Sequence, residues 1–376
     1  MERRQFLGTS LALGTAGAAL SGCSVSVSSS QAQATPQSAA PGPVRLNANE
    51  NPLGLSPGAR DALLRDLGEA NRYPRQARTD LVAALAEKHS VTPAHIQLGT
   101  GSTEILQMAV QMTPPDAVIV IAEPTFEDVA RYANASGRRV VAVPLRRTDY
   151  AHDIERMRAA AGSGPALVFI CNPNNPTGTL TPCDEVDAWI READERVTFL
   201  VDEAYFEFAD DPGYRSAISW IATKPNVVVS RTFSKIYGMA GLRLGYALAQ
   251  PATSERLRLM ACGNNGNELA LVAGRAALGD TAFQRQTLES NRAARQVLTE
   301  ALNELGLHAL PSHTNFVMHA IPLELAQYNE HMRSAGFLVG RPFPPMTDHS
   351  RVSLGTVADM RRFVTVLRDF RARAWV

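Results

Sequence analysis

Lysine is nearly missing from this sequence. Of its 37 basic residues only Lys88, Lys224 and Lys235 are lysines, and the rest are arginines. Where positive charge alone is needed the chain uses guanidinium, so each lysine raises the question of what an amine does there that arginine could not. Cysteine is scarce too: four in 376 residues, with Cys171, Cys183 and Cys262 fitting no metal-ligand spacing and no disulfide framework. Net charge is absent, because 37 acidic residues balance the 37 basic ones. Nothing in that balance suggests a nucleic-acid footprint or a polybasic membrane surface. The apolar content of 45% and charged content of 20% are those of an ordinary globular chain. Its length suits one large domain plus a smaller one.

The N-terminus has a different character. Arg3-Arg4-Gln5-Phe6-Leu7 is a twin-arginine pair followed by apolar residues, and the uncharged stretch from Leu7 to Leu20 falls short of the roughly 20 residues that cross a bilayer as a helix. Leu20-Ser21-Gly22-Cys23 resembles a bacterial lipobox, whose cysteine is lipidated. Residues 24–43 are rich in Ser, Ala, Gln and Pro and read as a flexible tether. The expectation is therefore a twin-arginine export signal over 1–22 and a disordered tether over 23–43. Lipidation at Cys23 would be the only membrane attachment, and the location periplasmic.

Beyond residue 76, apolar runs of strand length alternate with helix-like segments. The runs are Val118–Ile121, Leu167–Ile170, Val197–Val201, Asn226–Val229 and Leu244–Leu248; Thr103–Met112 and Pro182–Ala193 carry helical periodicity. This alternation predicts an α/β fold, three layers around a mostly parallel sheet. A change of pattern past residue 272 predicts a smaller α+β C-terminal domain. It starts from a long arginine-rich helix over 283–305, with short strands near Asn315–His319 and Arg351–Leu354 and a last helix from Ala358. The divisions are an N-terminal arm over 44–75, a large domain over 76–271 and a small domain over 272–376. Ligands of such sheets lie beyond the carboxyl ends of the strands, where polar motifs follow four of the runs here.

Lys235 is the centre of the chemical reading. An amine forms an imine with an aldehyde, which guanidinium cannot do. Around it stand Thr232, Ser234 and Arg243, two hydroxyls and a planar fork suited to a phosphate dianion, with glycines at 238, 241 and 245. Asp202 ends the apolar run Val197–Val201, and a carboxylate there needs a cation such as a protonated pyridine nitrogen. In Asn172-Pro-Asn-Asn-Pro-Thr-Gly178 the amide of Asn175 offers donors to a phenolate oxygen. The turn Gly99-Thr-Gly101-Ser102-Thr103-Glu104 opens a helix and can cradle phosphate, or serve as a plain N-cap. Phe126 can stack on a ring, or simply fill core.

Together with Asn47–Gly54, Arg72-Tyr-Pro74, Pro124-Thr-Phe126, Asp202-Glu-Ala-Tyr205, Pro311–Asn315 and Arg351–Thr356, these motifs resemble the fold-type I, pyridoxal-phosphate-dependent aminotransferases over residues 44–372. Within them they resemble the histidinol-phosphate aminotransferase group. The resemblance implies pyridoxal 5'-phosphate bound to Lys235 as an imine and a pyridinium partner at Asp202. Tyr205 and Asn175 would be on the phenolic oxygen and Phe126 on the ring. It implies a phosphate site from Gly101, Ser102, Thr103, Thr232, Ser234 and Arg243, completed by Tyr73 of a neighbouring subunit, hence a homodimer. Substrate would meet Asn49, Asn175, Arg341 and Arg351, the last clamping the α-carboxylate. The substrates implied are a small-molecule amino acid and a 2-oxo acid.

One motif departs. The group's valine–arginine–proline run reads Val339-Gly-Arg-Pro342, with Gly340 intervening, which displaces Arg341 from a substrate phosphate. With the export signal, this predicts a donor amino acid of aromatic or imidazole type rather than histidinol phosphate. The competing readings are a decarboxylase of the threonine-phosphate type and a non-catalytic periplasmic protein that binds the cofactor or an amine.

Overall fold

Apolar side chains on both sides of a strand can only be satisfied in a sheet covered twice, and that is where the apolar runs go. A computed structural model of the chain describes residues 42–376; the twin-arginine pair, Cys23 and the tether up to residue 41 lie outside the described residues. The strands are β1 (Val44–Arg45), β2 (Ile96–Gly99), β3 (Val118–Glu123), β4 (Val140–Pro144), β5 (Ala166–Cys171), β6 (Val197–Asp202), β7 (Val227–Thr232), β8 (Gly245–Ala249), β9 (Phe316–Ala320), β10 (Phe337–Leu338) and β11 (His349–Ser353). The α-helices are α1 (Pro57–Asp66), α2 (Arg75–His89), α3 (Ser102–Met112), α4 (Asp128–Ala135), α5 (Ile154–Ala161), α6 (Cys183–Glu192), α7 (Pro251–Met260), α8 (Glu268–Gly279), α9 (Thr281–Glu304), α10 (Leu325–Ser334) and α11 (Val357–Ala372).

Seven strands form one sheet in the order β2-β8-β7-β6-β5-β3-β4, in which β8 alone runs against its neighbours. The period-two alternation of a strand divides the core. In β5, Ala166, Val168 and Ile170 pack on one face with Leu81 of α2, Met157 of α5, Trp189 of α6 and Leu271 of α8. Leu167, Phe169 and Cys171 face the other side, with Ile105 of α3, Val129 of α4 and Leu257 of α7. The fold is thus the mostly parallel, three-layer α/β arrangement expected. Strands β2 and β4, the two edges, were not anticipated.

A second core gathers Leu298 and Leu302 of α9, Val317 of β9, Tyr328 of α10, Phe337 of β10, Val352 of β11 and Phe363 of α11. Strand β1 pairs in parallel with β10, so the arm begins on this smaller body before crossing to the large one. The boundary expected between residues 271 and 272 needs correcting, because it falls inside α8. Ala270, Leu271, Ala273 and Ala277 of that helix all belong to the large core, on both sides of the expected boundary.

Candidate active site

Because β2, β3, β5, β6 and β7 run the same way, the loops after them open on one edge of the sheet. Gly101, Ser102 and Thr103 follow β2, Phe126 follows β3, Asn175 follows β5, Tyr205 follows β6 and Lys235 follows β7. Arg243 precedes the antiparallel β8 and reaches the same edge. All of these except Gly101 line one cavity of about 440 Å³, together with Asn49, Asp202, Thr232, Ser234, Arg341 and Arg351. Gly101 supports it from behind, as the N-cap of α3 at φ 75°. A side-chain carbon on Gly245 would run into the Gly101–Ser102 backbone, so β8 can approach the α3 N-terminus only as glycine. Thr232 and Ser234 share a 3.0 Å hydrogen bond next to this turn. Backbone N–H groups, hydroxyls and the Arg243 fork thus converge where an anion would sit.

The Lys235 amine donates to the Asn49 carbonyl at 3.0 Å and lies 5.5 Å from the Tyr205 ring centre. Part of its surface is accessible, but only because it forms the cavity wall. Burial pushes its ammonium down to about 8, Arg351 adding to the shift and Asp202 opposing it. An amine so placed is neutral often enough near neutral pH to act as nucleophile or base.

Two adjacent carboxylates at the end of β6 meet opposite fates. Glu203 is buried and fully engaged: Arg231 is 2.6 Å away, and Ser216 and the Ala217 N–H each donate at 2.7 Å. Asp202, equally buried, has an Oδ1 with no partner among the described residues. Burial pushes its carboxyl up to about 7. An orphaned buried carboxylate oxygen at a strand end is what a cationic ring nitrogen would satisfy, so the residues present fit pyridoxal 5'-phosphate.

At the other wall Arg351 of β11 donates to Asn175 Oδ1 at 2.7 Å and to the Asn47 carbonyl at 2.9 Å, while its Nε is buried without a partner among the described residues. Burial pushes its guanidinium down to about 10, still charged at neutral pH and short of a counter-anion. Asn49 binds the wall together. It sits at φ 52°, donates to the Tyr205 hydroxyl at 3.0 Å and exchanges hydrogen bonds with Ser353. Asn315 donates to the Asn49 carbonyl at 3.0 Å. Positive φ at a non-glycine residue is uncommon and gathers at functional sites, asparagine being among the residues that tolerate it.

Arg341 lines the cavity mouth, paired with Glu127 at 2.6 Å. Tyr73 lies elsewhere: 73% exposed, it borders a separate cavity with Arg75, Arg78 and Asn265. Sequence reading missed Glu127, Ser353 and Asn315. Glu127 had a signal, being a charge directly after the candidate stacking ring. Ser353 and Asn315 had none beyond their motifs, because their partner is some 300 positions away for one and 266 for the other.

Known proteins resemble this chain in sequence and in fold. The sequence profile of the family described as "Aminotransferase class I and II" matches residues 41–367. "Histidinol-phosphate aminotransferase 1" of Cupriavidus pinatubonensis is 42% identical over 278 residues, 74% of this chain and 73% of that protein. A crystal structure of a candidate histidinol-phosphate aminotransferase from Erwinia carotovora atroseptica superposes with a TM-score of 0.87 at 40% identity, covering 89% of this chain and 97% of that one. The histidinol-phosphate aminotransferase of Sinorhizobium meliloti, solved in complex with pyridoxal 5'-phosphate, gives 0.81 at 28% identity, covering 89% and 92%.

Proposed function

The chain belongs to the class I and II aminotransferases, and from that membership we propose that it moves the amino group of an aromatic or imidazole-bearing amino acid to a 2-oxo acid. It is a pyridoxal-phosphate-dependent aminotransferase. One observation supports an amino-acid donor: buried Arg351, its Nε without a partner among the described residues, lines the same cavity as Lys235, an anchor for an α-carboxylate beside an amine.

When bound, the cofactor supplies an electron sink for the electrons released as the donor's Cα–H bond breaks. Asp202, whose Oδ1 has no partner among the described residues, would hold the ring nitrogen protonated. Lys235 Nζ accepts the Cα proton and returns it, a task suited to an amine titrating near 8. Asn175 keeps its N–H donors for the phenolic oxygen because its carbonyl is committed to Arg351. Tyr205, held by Asn49, joins it there. Arg351 fixes the donor through its carboxylate, so Cα presents its hydrogen to Lys235.

Exposed Tyr73, away from its own chain's cavity, supports a homodimer in which it completes the partner's phosphate site. Sedimentation of the holoenzyme at micromolar concentration checks this; a monomer with full activity would refute it. The Arg3-Arg4 pair and Cys23 support export and lipid anchoring on the periplasmic side. An amino-donor panel with 2-oxoglutarate tests the main reading. Turnover of phenylalanine, tyrosine or histidine is expected, and carbon dioxide release without transamination would replace it with a decarboxylase.

A further inference from the structure

Two guanidinium groups reach the substrate wall, and they share one ring. The carbon of Arg351 lies 4.5 Å from the Phe343 ring centre and that of Arg341 lies 4.4 Å from it. The two charges are therefore no more than about 9 Å apart, within reach of one substrate. Gly340 makes this possible. Its N–H donates to the Arg351 carbonyl at 2.8 Å, and a side-chain carbon there would stand 2.6 Å from that oxygen. The glycine that interrupts the valine–arginine–proline run thus lets the loop lie flat against β11 and delivers Arg341 to the cavity mouth.

Arg341 does not face the cavity as a free cation. Glu127, the residue before α4 and directly after Phe126, pairs with it at 2.6 Å, and Glu127 itself lines the cavity. The remaining lining cations, Lys235 and Arg243, belong to the cofactor's half of the site. A donor carrying an α-carboxylate brings one negative charge, which Arg351 can bind bidentately by itself. A donor carrying a phosphate ester in that place brings about −1.5 to −2 and calls for a second cation. The second cation is already matched, and the carboxylate that matches it would repel the dianion.

We propose that Glu127 is a specificity-determining residue: by holding Arg341 it fits the site to α-carboxylate donors and against phosphate-bearing ones. The inference rests on the aminotransferase reading with Arg351 as the carboxylate clamp, and it adds the residue that sets the class of donor. The pair is about half exposed, with side chains 51% and 59% accessible, so water screens it and limits the effect to about tenfold.

L-Histidine and L-histidinol phosphate form a matched pair, with one imidazole and different anions. Their kcat/KM values are compared on the holoenzyme with 2-oxoglutarate as acceptor. Their Kd values, read from the visible spectrum of the bound cofactor, are compared alongside. Glu127→Gln should move both ratios toward histidinol phosphate by about tenfold. In Glu127→Gln/Arg341→Gln the shift should vanish, since the freed guanidinium is its cause. Ratios that stay within twofold in the single variant overturn the proposal, as does a shift that survives removal of Arg341. A wild-type protein that binds both compounds and transaminates neither refutes the functional reading instead, and the Kd ratios still decide the role of Glu127.

Discussion

Arg351 and Asn175 are joined by a 2.7 Å hydrogen bond from guanidinium Nη1 to the side-chain oxygen, across 176 positions of chain. It ties β11 of the smaller body to the loop after β5 of the larger one, so the substrate's anchor and the cofactor's amide are set against each other. Asn175→Asp keeps the shape and places a second charge beside Arg351. The new carboxylate would compete with the substrate's, and KM for amino and 2-oxo acids should rise together by about tenfold or more, some 1.4 kcal/mol of binding. A KM within twofold of wild type would show that Arg351 is not the clamp.

Lys235→Ala should lose the visible band of the bound cofactor and all multiple turnover, and Lys235→Arg should fail equally, because charge is not the requirement. The wild-type amine also predicts a pH profile. It reacts when neutral, and its pKa is pushed down to about 8 by burial. Cofactor uptake by the apoprotein should therefore speed up about tenfold per pH unit below 8 and level off above it. Stopped-flow absorbance between pH 6 and 10 measures this; a rate still climbing at pH 10 would mean an ordinary surface amine.

Asp202→Asn should slow turnover by about 100-fold or more, about 2.7 kcal/mol of transition-state stabilisation. A rate within threefold of wild type would reduce the carboxylate to a turn cap. In the cofactor-free protein the same change should stabilise. The folded-state pKa of Asp202 is about 7, well above the usual carboxylate value of 3.8. The folded protein therefore keeps this proton longer than the unfolded chain does. The resulting stability is fully present below about pH 4 and is lost as pH rises to about 7. Asparagine has nothing to lose, so its Tm advantage over wild type should widen between pH 5 and pH 8. Melts of the two apoproteins at those pH values check the sign.

Cys23→Ser should shift the protein from the membrane fraction to the soluble periplasm, with kcat unchanged, since the described site draws nothing from that segment. Lysine in place of Arg3 and Arg4 should hold folded, cofactor-loaded enzyme in the cytoplasm. Native protein found in the cytosol would end the export proposal.

The large sheet was legible because its central strands are buried on both faces and read as unbroken apolar runs. The edges were not. Strand β2 is only Ile-Gln-Leu-Gly, with a buried Gln97 turned to the Leu98 carbonyl, and β4 has only Val143 fully buried and lies between arginine pairs. The strand-end chemistry was legible for a related reason: a charge or amine that closes an apolar run, such as Asp202 or Lys235, stands out against it. Contacts made at a distance were not legible. The engagement of Glu203 by Arg231 leaves Asp202 as the carboxylate with an open oxygen, and Asn49 reaches Tyr205, Ser353 and Asn315 at once; no local pattern records either. The α8 boundary failed because helix periodicity does not say which core a helix serves.

The preference for arginine also shapes how the apoprotein meets its cofactor. A reactive aldehyde condenses with any accessible amine, and most proteins present dozens of decoys on their surface. Guanidinium groups do not compete for it. Here the other side-chain amines number two: Lys88, exposed on α2, and Lys224, which donates to the Arg191 carbonyl at 2.7 Å. Lys235 is thus nearly without rivals among the side chains, and the composition of the surface itself acts as chemoselectivity for one amine.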